Sequence, residues 1–272
     1  SGMTYVSLTP VDLALAALLL VLTSGLSLAF RLGLERSIAT SALRMCVQLG
    51  IVGFLLKLVF ESGSLLATAG FALMMLVATA YEVASRQERR FQGVASYLIG
   101  GAAPFLAGLI ATVFAVTAII GSEPWWSPRF LLPILGMMIG NALAGVTLVL
   151  DTITSAATRE KSAIEGRLAL GATRWDALQD VLRRGLRTGL TPILSAMAVA
   201  GVVSLPGMMT GQILAGADPV EAMKYQIMIM FLIAGATGIA VVLAGLISVA
   251  LLTDERHRLR LDRLVPVKKP DA

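Results

Sequence analysis

Seven apolar stretches, each close to the length a bilayer's hydrocarbon core demands, leave this chain few folds. They lie at approximately 10–30, 38–60, 65–84, 94–120, 130–150, 188–214 and 222–252, and a crossing helix needs about 20 residues. Backbone N–H and C=O groups find no water in hydrocarbon, so segments of this length cross as helices. The expectation is an all-α, polytopic membrane protein of about seven transmembrane helices. Composition agrees: 57% of the residues are hydrophobic and 14% charged, against about 25% charged in an ordinary soluble domain.

Orientation follows from where the basic residues fall, because cytosolic segments concentrate Lys and Arg. With the N-terminus outside, 18 of the 22 lie on the cytosolic side. They are Arg31, Arg36, Arg86, Arg89, Arg90, seven residues between Arg159 and Arg187, and six of the tail from Arg256 to Lys269. Only Lys57, Arg129 and Lys224 fall outside, and Arg44 lies within a span. The expected arrangement is therefore N-out and C-in. It divides the chain into spans one to five (3–150), a cytosolic loop (151–187), the last two spans (188–252) and a cytosolic tail (253–272). Ser1-Gly2 ahead of Met3 is set aside as a cloning remnant, and the first span, with no basic stretch before it, reads as retained rather than cleaved. The net charge of +5 is not a nucleic-acid footprint, because it is dealt out between apolar spans. Trp125-Trp126 in an external loop suits an interfacial aromatic belt.

The loop Asp151–Arg187 is the most polar stretch and carries helix signals. Ser162 and Glu165 have the spacing of a capping box, which predicts a short helix over about 163–170. Gly171 stands where a helix end favours positive φ. Thr173 and Asp176 repeat the cap and open a second helix through Trp175, Leu178 and Leu182. Ile164, Leu168, Trp175, Leu178 and Leu182 share a face, with Arg167, Arg174, Arg183, Arg184 and Arg187 supplying charge. Such a helix lies on lipid, packs on its own bundle or docks into a partner.

Spacing favours the third. Glu165-Gly166-Arg167-Leu168-Ala169-Leu170-Gly171 resembles the "EAA" cytosolic loop of ABC-transporter permeases, where Glu precedes Gly by six residues. The resemblance implies a coupling helix, seated in a groove of an ATPase subunit, with Glu165, Gly166, Arg167, Leu168, Gly171 and Trp175 as its coupling residues. Gly166 and Arg167 replace the two alanines of that pattern, and Arg184 stands where the family often has Pro.

Polar groups inside spans are costly unless partnered or functional. Arg44 and Glu82 are expected at similar depth in adjacent spans, as a structural ion pair or as a gate, with Gln48 one turn from Arg44. Asn141 and Gln212 fit interhelical hydrogen bonding. Gly136-x-x-x-Gly140 and Gly207-x-x-x-Gly211 have the spacing of close helix contacts. Pro206 within Ser204–Gly211 is expected to kink or stop the sixth span, beside a substrate path or at an external segment. Arg44, Gln48, Glu82, Asn141, Pro206, Met208, Met209 and Gln212 are thus candidates for a translocation path. The 12 methionines could bind a soft ion, but Met is also a filler of irregular packing.

One cysteine, Cys46, and one histidine, His257, exclude a Cys/His metal site within a single chain. No G-x-x-x-x-G-K-[ST], G-x-S-x-G or H-E-x-x-H stretch occurs. No cofactor is expected, and any ATP chemistry belongs to another subunit.

Ala42–Leu49, Gly140–Ala142, Glu165–Thr173, Ser204–Pro219 and Tyr225–Phe231 together resemble the FetB-type permeases of iron-export ABC transporters, with plant aluminium-tolerance permeases as relatives. The resemblance implies a permease of the bacterial inner membrane, paired as a homodimer and working with a FetA-type ATPase to export iron. Other cargoes (another metal, a nucleotide sugar, a lipid) stay open, as does a stand-alone channel or secondary carrier. An integral-membrane enzyme is disfavoured, because no polar cluster resembles a catalytic set.

Overall fold

The computed structural model describes residues 6–267, so Lys268 and Lys269 of the expected tail lie outside the described residues. Helix α1 (Pro10–Ala29) opens with a capping box between Thr9 and Asp12 and is exposed along almost its whole length. Helices α2 (Glu35–Ser62) and α3 (Leu65–Arg86) turn back on each other through Gly63, whose φ of 58° ends α2. A three-residue strand β1 (Arg89–Phe91) leads into α4 (Val94–Phe114), which continues as a π-helical turn over Ala115–Ile120. Then come α5 (Pro128–Arg159), α6 (Lys161–Ala169), α7 (Arg174–Val199), α8 (Gly207–Leu214) and α9 (Pro219–Leu252). Strand β2 (Leu264–Pro266) lies beyond them.

Six of these helices, α1 to α5 and α9, are long and apolar enough to cross a membrane among the described residues. The stretch expected as a sixth span, 188–214, is not one helix. Helix α7 stops at Val199, the chain turns through Ala200–Leu205, and α8 begins after Pro206. Of the kink or stop expected at Pro206, the chain makes a stop, placed earlier: α7 ends at Val199, and Pro206 is the N-cap of a new helix, where a missing N–H costs nothing. Gly201, at φ +84°, makes the turn, and the N–H groups of Val203 and Ser204 close it on the Val199 carbonyl.

The core centres on α5, flanked by α3, α4, α7 and α9. Its inward face carries Met138, Ala142, Val146, Val149 and Ile153, all essentially inaccessible. In lipid the hydrophobic effect does not drive helices together, so close backbone approach has to. Gly145 and Gly189 supply it where α5 crosses α7: a Cβ on Gly189 would lie 2.9 Å from the Gly145 carbonyl oxygen. Gly245 of α9 likewise leaves room for Leu186. The two predicted Gly-x-x-x-Gly pairs do not do this work. Gly140, Gly207 and Gly211 face open space, and a Cβ on Gly136 would meet only Met75, at 3.5 Å.

The bundle has two unlike ends. At one, called here the basic end, sit α6, the start of α7, β1 and the chain after α9. That terminal segment is folded down: β2 pairs antiparallel with β1, matching Arg89 to Pro266 and Phe91 to Leu264. Arg263 donates to the carbonyls of Leu251 (2.8 Å) and Thr253 (3.3 Å), capping the end of α9. Glu88 N–H donates to Asp151 at 2.8 Å, fastening β1 to α5.

Candidate functional site

Helix α6 projects from the basic end as a short peg. Its start departs from the prediction: it begins at Lys161, not near Ala163, and Ser162 makes no cap. Glu160 ends α5 and begins α6, so the chain turns within one residue and leaves no room for a separate cap. Glu165 instead sits 4.0 Å from Lys161 on the solvent side. The other end forms as predicted. Gly171 has φ +93°, its N–H donates to the Leu168 carbonyl, and Ala172 N–H donates to that of Arg167. This hydrogen-bond pair satisfies carbonyls a helix end otherwise leaves orphaned. The Thr173 hydroxyl then accepts from Asp176 N–H at 3.2 Å and starts α7.

One residue seats the peg. Ile164 is 1% exposed and joins a single apolar cluster with Ile153 of α5, Leu178 of α7, Leu252 of α9 and Leu264 of β2. Leu168 packs at the edge of that cluster. The rest of the peg is open: Glu165, Gly166 and Arg167 are exposed, and Leu170 at the tip is 91% exposed. Trp175 is partly exposed beside it, with the Arg174 guanidinium 5.6 Å from its ring centre.

The two arginines that depart from the EAA pattern brace this peg. Arg167 donates to the Ala177 carbonyl (3.3 Å) and lies 3.4 Å from Asp180, tying α6 to α7. Arg184 lies 2.7 Å from Glu160 and ties α7 to the joint between α5 and α6. A third brace had no sequence signal: the N–H of Arg174, first residue of α7, donates to His257 Nδ1 at 3.1 Å. The turn that presents His257 is held by Asp254, whose carboxyl the Arg258 backbone N–H and guanidinium keep below the ordinary carboxylate range.

The intramembrane candidates fall into separate places. Arg44 and Glu82 meet as an ion pair, and Arg86 takes the other Glu82 oxygen at 3.2 Å. Gln48 lines the same groove, about 670 Å³ in volume, between α2 and α3. These helices pack near the end opposite the basic one, through Val59, Phe71 and Leu132. Toward the basic end the groove opens between them, and Arg44 reaches across it to Glu82. Asn141 lies elsewhere, on the exposed face of α5, and donates to Met137 of its own helix at 2.9 Å. The expected interhelical bond is thus corrected: the amide reaches the carbonyl one turn back.

Pro206, Met208, Met209 and Gln212 are on or beside α8, at the far end. Met209 N–H donates to the buried Gln226 of α9 at 3.3 Å. Gln212 Oε1 is buried without a hydrogen-bond partner among the described residues, so its expected interhelical bond is missing too. Met208 packs with Ile193, Ile229 and Ile233, as filler. Among the described residues no three His, Cys, Asp or Glu side chains converge as a metal site.

The fold and these sites define an all-helical, multi-pass membrane protein with an exposed, braced peg at one end. The chain belongs to the family described as "Uncharacterised protein family (UPF0014)", whose model matches residues 10–252. It is 33% identical over 258 residues to the probable iron export permease protein FetB of Escherichia coli, covering 95% of this chain and 97% of the relative. The UPF0014 membrane protein YjkA of Bacillus subtilis is 32% identical, covering 81% of this chain and 86% of its own. The ALUMINUM SENSITIVE 3 protein of Arabidopsis thaliana is also 32% identical, over 83% and 81% respectively. No solved structure matches the chain.

Proposed function

We propose that the chain is the permease subunit of an ATP-driven exporter in a bacterial inner membrane. In this reading the basic end faces the cytosol, the N-terminus lies outside, and α7 with α8 makes the seventh crossing. Two copies pair with two copies of a FetA-type ATPase, and the cargo is iron. The cargo rests on the name of the Escherichia coli relative. The observation that carries the mechanism is the peg: an apolar tip in water, braced to α5 and α7 and rooted in the cluster those helices share with α9.

ATP chemistry belongs to the partner, and the peg receives its movement. A displacement of α6 acts on Ile164, and through it on Ile153, Leu178 and Leu252 in three long helices. Packed interiors transmit such a shift rather than absorbing it. Coupling needs contacts that differ between the two states of the bundle. The groove between α2 and α3, open toward the basic end and closed at the other by Val59, Phe71 and Leu132, supports an inward-open state.

The test is co-purification of the ATPase from native membranes, with transport measured in the same cells. Gly171→Pro removes the turn, since Pro cannot adopt φ +93°. Glu165→Arg reverses charge on an exposed face. Both variants are expected to insert normally and to lose ATPase capture or transport. Normal assembly and transport in both would remove the coupling role.

A further inference from the structure

The groove between α2 and α3 carries an electrostatic signature that a bare metal cation does not match. Its only carboxylate among the described residues, Glu82, has both oxygens engaged: Oε1 by Arg44 and Oε2 by Arg86 Nε at 3.2 Å. A metal ion would have to displace a guanidinium to reach either oxygen, and would then sit beside two positive charges. Hard cations such as iron favour several oxygen or nitrogen ligands. The remaining polar donors on the wall, Gln48, Ser41 and Tyr81, add one neutral amide and two hydroxyls.

The same set suits an anion. Arg44 and Arg86 outnumber Glu82, and their side chains remain 58% and 54% exposed. A guanidinium has five N–H donors in a planar fork, so binding Glu82 along one edge leaves donors for a carboxylate or phosphate. Below this cationic mouth the wall turns apolar, through Met45, Ile51, Val52 and Met74. From Ser41 to Val52 the groove runs along about 16 Å of helix.

We propose that this groove binds a multiply charged oxyanion, either free or as the anionic oxygen-donor chelate of a metal. The proposal deepens the export reading and rests on it for the direction of entry, from the basic end. An exported metal then travels with its ligands supplied by the chelator, which accounts for a permease without a metal-ligand cluster among its described residues.

The test is equilibrium binding to the full-length protein in lipid nanodiscs, independent of any ATPase. Radiolabelled citrate, ferric citrate, inorganic phosphate and anaerobic Fe(II) are the probes. Saturable binding of citrate or ferric citrate is expected, with Fe(II) alone not retained. Citrate bound as well as its ferric complex identifies the organic anion as ligand; preference for the complex identifies the chelate. Arg44→Gln weakens anion binding at least about tenfold, the scale of one charge-assisted hydrogen bond. Arg44→Lys restores part of it, and Glu82→Gln leaves it equal or tighter. Glu82 stays tied to Arg86 in Arg44→Gln, so that variant keeps half of the network, and unchanged thermal stability confirms its fold. Three results overturn the proposal: no anion bound by the wild type, equal loss in Arg44→Gln and Glu82→Gln, or Fe(II) binding that Glu82→Gln alone abolishes. None of them touches ATPase capture, so the export reading stands or falls separately.

Discussion

Leu170→Asp perturbs the peg at its tip, where the side chain is 91% exposed. Because the leucine touches almost nothing in its own chain, the change in permease stability is expected within about 0.5 kcal/mol. Its backbone, at φ −80° and ψ 4°, is open to any residue, so the turn at Gly171 survives. The cost appears on docking. Seating a leucine fully in an apolar groove is worth about 1.5–3 kcal/mol, which is a roughly 10- to 100-fold loss of ATPase affinity when the side chain is gone. A carboxylate left in that groove adds to the loss. The contrasting variant is Ile164→Asp, which buries a charge at a 1% exposed position and is expected to lower permease stability by several kcal/mol. Thermal unfolding in detergent and titration with the purified ATPase read the two effects apart. If Leu170→Asp destabilises the permease as Ile164→Asp does, or binds the ATPase as the wild type does, the reasoning from exposure fails.

Gly189→Ala places a methyl 2.9 Å from the Gly145 carbonyl oxygen and is expected to cost about 1–3 kcal/mol by overpacking; Gly140→Ala, facing open space inside a helix, does not lower the melting temperature. Arg184→Ala removes an exposed ion pair worth about 0.2–1 kcal/mol, so the protein stays folded, but the loosened joint at Glu160 lowers transport per ATP hydrolysed in reconstituted vesicles. Asp254→Asn tests the terminal turn by its pH dependence. The Asp254 carboxyl is held below its ordinary value of 3.8, so its contribution is complete above that value and disappears as pH falls below it, through the folded-state value. The gap in melting temperature between wild type and variant is therefore constant from pH 8 down to about pH 5 and closes only at lower pH.

What could be read from the residues was what local chemistry dictates. The apolar runs place α1 to α5 and α9, because a bilayer admits only helices of that length. Gly171 and Thr173 announce the end of the peg and the start of α7, since positive φ and a hydroxyl cap have few substitutes. Arg44 and Glu82 could be paired from hairpin geometry alone. Hydropathy, however, marks where a helix enters lipid and not where it ends. Helices α5 and α7 thus run without a break through the boundaries drawn at 150/151 and 187/188. The start of the peg is not legible in the residues, because Glu160 serves two helices at once. The terminal strand was invisible: three residues, Leu264 to Pro266, are too few for any alternation. His257 and Arg263 act across the fold, on α7 and α9, and spacing carries no trace of that. Spacing alone does not single out the glycines that matter: Gly185-x-x-x-Gly189 packs against α5, whereas Gly136-x-x-x-Gly140 and Gly207-x-x-x-Gly211 have the same spacing and face no close neighbour within the chain.

The central claim is that the peg of α6 engages a separate nucleotide hydrolase. A photo-crosslinking residue at position 170, in otherwise unaltered protein expressed in native membranes, addresses it in one step. Mass spectrometry of the adduct is predicted to identify an ATPase subunit, with the yield changing between ATP-bound and nucleotide-free conditions. Adducts only to lipid or to the chain's own helices, with no ATPase among them, would contradict the account.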